Sequence, residues 1–128
     1  MEVQPKRSST KGPAEMFTGD VWIDLIAPPV EPARATVNAV RFSPGARTAW
    51  HSHSLGQTLY VTDGRGLIQS RGEPIITIHP GETIHTPPAE WHWHGATPDH
   101  FMAHLSITEG TAEWGDHVTD AEYHGEAP

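Results

Sequence analysis

The feature of this sequence that most constrains its fold is the close spacing of its turn signals. Glycine and proline each occur twelve times among 128 residues, and they interrupt the chain before any apolar segment grows long. No segment keeps the apolar period of about 3.6 residues that an amphipathic helix requires. Many short segments between turns are typical of a β-sandwich or β-barrel. The sequence therefore predicts an all-β fold with a single core.

Nine strands are predicted, each bounded by turn signals such as Ser43-Pro44-Gly45 or Asp63-Gly64. Their ranges are 21–26, 36–42, 47–53, 58–62, 66–70, 74–79, 83–86, 91–96 and 100–108. One turn of helix is expected near residues 112–114. The polar residues 1–14 are predicted to form a flexible N-terminal arm, and residues 15–128 to form the barrel domain.

The charge and composition of the chain exclude several partners. A formal net charge of −8 argues against nucleic acid or an anionic membrane, because both require a positive surface. The chain has no cysteine, so a metal ion would be bound by nitrogen and oxygen atoms alone. No apolar run is long enough to cross a bilayer and no signal peptide is visible, which predicts a cytoplasmic location.

Two of the ten histidines begin a candidate metal site. His51 and His53 are two residues apart on a predicted strand, so both rings project from the same face. Gln57 has the same parity and follows a Leu-Gly break, which lets the chain return a side-chain carbonyl toward the pair. His92, on a later strand, could complete a set of nitrogen and oxygen donors for a divalent metal.

Residues 45–96 resemble the two sequence motifs of the cupin family. The first motif consists of a glycine, a His-x-His pair, an acidic residue and a second glycine. In this chain these positions are Gly45, His51, His53, Gln57 and Gly64. The second motif consists of a glycine, a Pro-x-Gly turn, a histidine and an asparagine. In this chain these positions are Gly81, Pro87, Ala89, His92 and Ala96. Ala89 and Ala96 depart from the pattern and are expected to alter the local backbone without changing the ligand set.

Gln57 also departs from the motif, since glutamate is usual there, and this changes the charge of the site. Three neutral imidazoles and a neutral amide leave a divalent ion its full double charge, which favours Lewis acidity over high oxidation states. This counts against an oxygenase. The resemblance implies one divalent metal per chain, with Mn(II) first and Fe(II), Ni(II), Co(II) or Zn(II) as alternatives.

A longer match is to a subgroup of small bacterial cupins that carry glutamine at this position. Residues 45–62, 91–98, 102–107 and 113–123 are similar to that subgroup. It includes the manganese-dependent bacterial hydroxynitrile lyases and cupins associated with carboxymuconolactone decarboxylases. The resemblance implies a single-domain cupin jelly-roll barrel whose metal ligands are His51, His53, Gln57 and His92.

The same resemblance assigns roles to residues around the metal. His94 and His104 would line the cavity beside it, and we expect them to be the catalytic acid–base residues. Strand parity supports this independently, because His94 shares a face with His92. His104 likewise shares a face with Met102 and Ser106. Positions that shape the substrate pocket in the lyases correspond to Asn38, Val40 and Thr108.

The implied activity is that of a metal-dependent lyase, which cleaves or forms a C–C bond of a cyanohydrin or a similar small hydroxy or carbonyl compound. Two alternatives remain open: an Fe or Mn dioxygenase of small aromatic substrates, and a metal-binding or ligand-binding module without catalysis. The expected partners are a small-molecule substrate and further copies of the chain, as a homodimer or homotetramer. The predicted contact elements are residues 21–26 and the N-terminal arm.

The remaining histidines and the tryptophans are predicted to have structural roles. The histidines expected at the surface or in packing are His79, His85, His100, His117 and His124. Trp50, Trp91 and Trp93 alternate away from the ligand histidines and are expected to pack in the barrel wall. Trp22 and Trp114 are expected to lie at interfaces.

Overall fold

The computed structural model describes residues 1–126, which fold almost entirely into strands. The elements are β1 (Thr10–Lys11), β2 (Phe17–Thr18), β3 (Val21–Ala27), β4 (Thr36–Phe42), β5 (Arg47–Thr48), β6 (His51–His53), β7 (Gln57–Gly64), β8 (Gly66–Ser70), β9 (Ile76–Ile78), β10 (Thr83–Thr86), β11 (His92–Ala96), β12 (Met102–Thr108), β13 (Ala112–Trp114) and α1 (Asp120–Tyr123). The predicted all-β barrel is confirmed. Among the described residues, no helix has the length and apolar character needed to span a membrane.

The first sheet contains six strands in the order β1-β3-β4-β12-β7-β10. Side chains alternate between its two faces, so Met102, His104 and Ser106 of β12 are buried while Ile107 is exposed. In the antiparallel register, His104 lies opposite Val40 of β4. The inner face of this sheet therefore combines apolar and polar side chains from neighbouring strands.

The second sheet contains seven strands and carries the histidine-rich segments. Its strand β11 pairs with β8 along its whole length and with β6 and β5 near its two ends. Glycine is required where β11 meets β5, because a Cβ atom at Gly95 would lie 2.4 Å from the carbonyl oxygen of Ala46. This close approach holds β11, which contributes two histidines, against the strand before β6.

Apolar clusters pack on both faces of the second sheet. The main core includes Val21, Phe42 and Leu59 and is built from strands of both sheets. Trp50 and Trp93 form a separate cluster with Tyr123 of α1. Since these tryptophans alternate with His51, His92 and His94, they occupy the opposite face of the sheet and pack in the barrel wall as predicted.

The C-terminal segment is attached to this outer face by polar contacts. The Tyr123 hydroxyl donates a hydrogen bond of 2.6 Å to the Ala96 carbonyl. The buried Arg47 guanidinium donates to the Val118 carbonyl and to the Asp120 carboxylate, both at 2.8 Å. These contacts link α1 directly to β5 and β11.

Two predicted elements differ in the structure. The helical turn expected at residues 112–114 is wrong: these residues form β13, which pairs with β6, and the only helix of the described chain is α1. The strand predicted over 47–53 is divided into β5 and β6, because the pairing partner changes from β2 to β13. Within the predicted N-terminal arm, Thr10 and Lys11 pair with β3.

Several surface predictions can be compared with side-chain exposure. The five histidines expected outside the site are all exposed: His79, His85, His100, His117 and His124. On β3, Trp22, Leu25 and Ile26 expose apolar side chains. The homodimer or homotetramer expected to use this strand stays a prediction.

Candidate metal centre

Three imidazoles from the second sheet form a compact buried group. One ring nitrogen from each of His51, His53 and His92 lies within 4.8 Å of the others. His51 and His92 are direct partners across β6 and β11, and His53 follows on the same face of β6. The His-x-His spacing and the antiparallel register are therefore sufficient to bring the three rings together.

Hydrogen bonds fix the tautomers of two of these rings. Nδ1 of His51 lies 2.9 Å from the Ala49 carbonyl oxygen, and Nδ1 of His92 lies 2.9 Å from the Glu90 carbonyl oxygen. A carbonyl oxygen can only accept, so each Nδ1 carries the hydrogen. In the neutral ring, Nε2 is then left with its lone pair free, as a metal ligand requires.

Burial keeps all three rings neutral at pH 7. It lowers the pKa of His51 well below its usual range, and the nearby His92 lowers it further. Burial, together with His92, lowers the pKa of His53 to about 4. The pKa of His92 is also lowered, mainly by burial. A divalent cation would thus meet deprotonated nitrogen atoms without competing with protons near neutral pH.

Gln57 brings a carbonyl oxygen to this group from the first sheet. The preceding Gly56 has a φ of 83° and lies so close to the next loop that a Cβ atom would be 2.7 Å from the Thr86 carbonyl oxygen. This tight turn starts β7 with Gln57 buried beside the imidazoles. Its Oε1 lies 3.4 Å from Nε2 of His92.

The donor set fits a divalent metal. Nε2 of His92 and Oε1 of Gln57 are both acceptors, so no hydrogen bond joins them and a cation is the partner that would satisfy both. Within residues 1–126, neither ring nitrogen of His53 has a hydrogen-bond partner. Neutral nitrogen and oxygen donors converging in a buried site suit Mn, Fe, Co, Ni or Zn.

A second pair of histidines lies beside this group and joins the two sheets. Nε2 of His104, on β12, is 3.0 Å from Nδ1 of His94, on β11. Both rings are buried, and burial lowers the pKa of His94 well below its usual range and that of His104 to about 4. They therefore form a hydrogen bond between two neutral imidazoles.

Such a bond gives the pair one acidic and one basic end. One ring donates and the other accepts, so the two outer nitrogens, Nε2 of His94 and Nδ1 of His104, differ: one carries a hydrogen and the other a lone pair. In the described chain neither outer nitrogen has a hydrogen-bond partner. The pair can thus accept a proton at one end and release one from the other.

A cavity of about 260 Å³ opens beside both histidine groups. The predicted site residues on its wall are Asn38, Val40, His51, His53, Gln57, His94, His104 and Thr108. His92 is fully buried and lies against His51, with ring centroids 4.3 Å apart. The structure thus brings together all the residues that the sequence analysis selected, whereas their individual roles stay predictions.

Sequence reasoning assigned no site role to several residues that line this cavity, among them Trp114 and Ser106. Trp114, expected at an interface, stacks on His51 with ring centroids 4.6 Å apart and planes inclined by 21°. It reaches the site because β13 pairs with β6, and no local pattern indicates that pairing. Ser106 also lines the cavity and accepts a hydrogen bond from Gln57. The sequence analysis placed Ser106 on the face of His104 by strand parity but gave it no role at the site.

Ala89 has a backbone conformation that favours glycine, the residue usual at this position of the motif. Its φ is 64°, in the left-handed region that favours glycine. Its N–H donates a hydrogen bond of 2.8 Å to the His53 carbonyl. The alanine therefore supports the turn next to β6, where an altered local backbone was expected.

The neutral histidines make the stability of the metal-free protein dependent on pH. Their folded-state pKa values lie below the unfolded value near 6.5, so the unfolded chain takes up protons that the folded chain does not. The free energy of unfolding is therefore highest above about pH 7. It falls as the pH drops toward 4. Each such histidine lowers the free energy of unfolding by up to about 1.4 kcal/mol for each pH unit of this drop.

Urea unfolding of chelator-treated protein at pH 7, 6 and 5 would measure this loss. The His104→Ala variant should lose less between pH 7 and 5 than the parent, because one buried group no longer titrates. A free energy of unfolding that is independent of pH over this range would contradict the prediction.

Comparisons with known proteins agree with this architecture. Residues 38–108 match the family described as cupin domain. An (R)-mandelonitrile lyase from Granulicella tundricola is 50% identical over 121 residues, which cover 91% of this chain and 92% of that protein.

Solved structures show the same fold. A cupin-like protein from Thermotoga maritima superimposes with a TM-score of 0.86 at 38% identity, covering 98% of this chain and 96% of that one. The polyketide cyclase RemF from Streptomyces resistomycificus has a TM-score of 0.72 at 18% identity, covering 97% and 91%, and shares the fold alone. The predicted cupin barrel is confirmed, and the chain belongs to the cupin family.

Proposed function

We propose that this protein is a metal-dependent lyase of the hydroxynitrile-lyase type, which cleaves a cyanohydrin to a carbonyl compound and hydrogen cyanide, or forms it in reverse. The observation that carries the proposal is the neutral His94–His104 pair on the wall of the cavity that also contains the three-imidazole group. The 50% identity to a protein named (R)-mandelonitrile lyase supports this reaction.

The proposed metal ligands are His51, His53, His92 and Gln57. A divalent metal bound there, Mn(II) in our proposal, would supply a Lewis acid for the hydroxyl oxygen of the substrate. Since all four side chains are uncharged, the protein adds no negative charge to the centre. Apolar side chains form much of the cavity wall, and the lower local dielectric would strengthen charge–charge interactions there.

The His94–His104 pair would carry out the proton transfers. Cleavage removes the hydroxyl proton and adds a proton to the departing cyanide, so it needs one base and one acid. The lone pair at one outer nitrogen would take the first proton, and the hydrogen at the other would supply the second. The pair then returns to a neutral state with its hydrogen bond reversed.

The apolar part of the cavity wall indicates which kind of group the substrate carries beside its hydroxyl. Val40 and Phe42 of β4 and Phe17 of β2 line the same space as the histidines. A carbonyl compound with an aryl or short alkyl group could place that group against them while its oxygen faces the imidazoles. We therefore propose small aromatic or aliphatic cyanohydrins as substrates.

A cleavage assay combined with metal analysis tests the proposal. Purified protein should contain about one divalent metal per chain, and Mn(II)-loaded protein should release benzaldehyde from mandelonitrile. Chelator-treated protein is the control and should be inactive until metal is restored. Oxygen uptake with small aromatic substrates would favour a dioxygenase instead, and a metal-loaded protein inert toward all these compounds would favour a binding module.

A further inference from the structure

The amide of Gln57 is held by two hydroxyl groups of the neighbouring strand. Its Nε2 lies 3.1 Å from Oγ of Ser106 and 3.2 Å from Oγ1 of Thr108. The two hydroxyls are themselves 3.2 Å apart, within hydrogen-bond distance. Thr108 is the direct partner of Gln57 across β7 and β12, and Ser106 shares its face two residues earlier.

In the orientation seen in the structure, the NH2 end of the amide faces β12 and its oxygen faces the imidazoles. An amide NH2 group has two hydrogens, and the two hydroxyl oxygens can accept both. The carbonyl oxygen is then turned away from β12, and it lies 3.4 Å from Nε2 of His92. With the opposite orientation the group would present hydrogens, which no cation can use as ligands.

We propose that Ser106 and Thr108 are positioning residues for the metal centre, because their hydroxyls hold the Gln57 amide with its oxygen toward His51, His53 and His92. This inference rests on the proposed metal centre and does not depend on the reaction catalysed there. It gives Thr108 a role beyond shaping the substrate pocket, and it assigns one to Ser106. A ligand amide whose NH2 group is unpaired could rotate, and its oxygen would spend less time facing the metal.

Metal affinity is the direct measure of this positioning. We expect the double variant Ser106→Ala, Thr108→Val to bind Mn(II) about tenfold to a hundredfold more weakly than the parent, the usual cost of losing outer partners of a metal ligand. Titration calorimetry with Mn(II) gives the dissociation constant without any assay of activity. Thr108→Ser keeps a hydroxyl and should retain most of the affinity.

Two controls separate positioning through Gln57 from a general disturbance of the strand. Thr58→Val removes a hydroxyl from the residue after Gln57, on the other face of β7, and should bind Mn(II) like the parent. In a Gln57→Ala background, removing the hydroxyls of Ser106 and Thr108 should cause no further loss, because the group that they position is gone.

The outcomes distinguish this inference from the proposals on which it rests. Parent-level affinity in the double variant, or an equal loss in the Gln57→Ala background, would overturn the positioning role while leaving the metal centre in place. A parent protein that binds no Mn(II) would overturn both the positioning role and the proposed metal centre. A protein that binds Mn(II) but does not cleave cyanohydrins would overturn the proposed lyase activity alone.

Discussion

A protein in which His51 and His53 are both replaced by alanine should lose its divalent metal. Only His92 and Gln57 would remain of the proposed ligands, and two monodentate donors are too few for a stable site. We expect affinity for Mn(II) to fall by more than about a hundredfold, beyond the usual cost of losing an outer partner. Metal content per chain after dialysis and calorimetric titration would measure the change.

The matched control removes two histidines that lie outside the cavity. His85 and His124 are exposed, so the variant His85→Ala, His124→Ala loses the same number of imidazoles without changing the buried group. It should keep the parent metal content. Circular dichroism would establish that both variants are folded, and parent-level metal in the His51→Ala, His53→Ala protein would show that the ligand assignment is wrong.

Replacement of His104 should lower turnover by about a hundredfold or more, the contribution typical of a general acid or base. His104 lies 3.0 Å from His94 and in a different sheet from the imidazole group, so metal content should not change. Without it, His94 loses its buried partner and the pair can no longer accept one proton and release another. The measurement is kcat for cyanohydrin cleavage at matched metal loading.

The choice of substitution matters because His104 also packs in the core. Its ring lies 5.4 Å from that of Phe42, so His104→Ala leaves a void that could weaken the fold. His104→Gln fills more of the space and cannot be protonated near neutral pH, so both variants should be slow. His94→Ala should lower kcat to a similar extent, because it breaks the same pair, and a much smaller effect would leave His104 as the main acid–base residue. Full activity and full metal in both His104 variants would exclude His104 from proton transfer.

The three-histidine group was predictable from sequence because it depends on local spacing and strand parity. His51 and His53 share a face of one strand by their separation of two, and the same parity applies to His92 and His94 on β11. The Leu-Gly break adds the turn, because Gly56, with its positive φ, brings Gln57 to the group. Features of this kind are encoded within a few neighbouring residues.

Contacts between distant strands were not predictable in the same way. The Ala-Glu-Trp segment at 112–114 has no strong strand pattern of its own and becomes β13 because β6 offers it an edge. Trp114 is carried to His51 by that pairing. The hydrogen bond between His94 and His104 depends on how closely the two sheets approach, which the parity of either strand alone does not specify.

The three imidazoles all belong to the second sheet, whereas Asn38 and Val40 lie on β4 of the first, across the cavity from them. Substitutions on β4 can therefore accumulate in a lineage without moving the strands that carry the three imidazoles. Duplicated copies of such a gene could diverge in the molecules that they accept while inheriting the same three-histidine group intact. A separation of this kind lets selection act on the shape of the cavity and on the histidine group as partly independent traits.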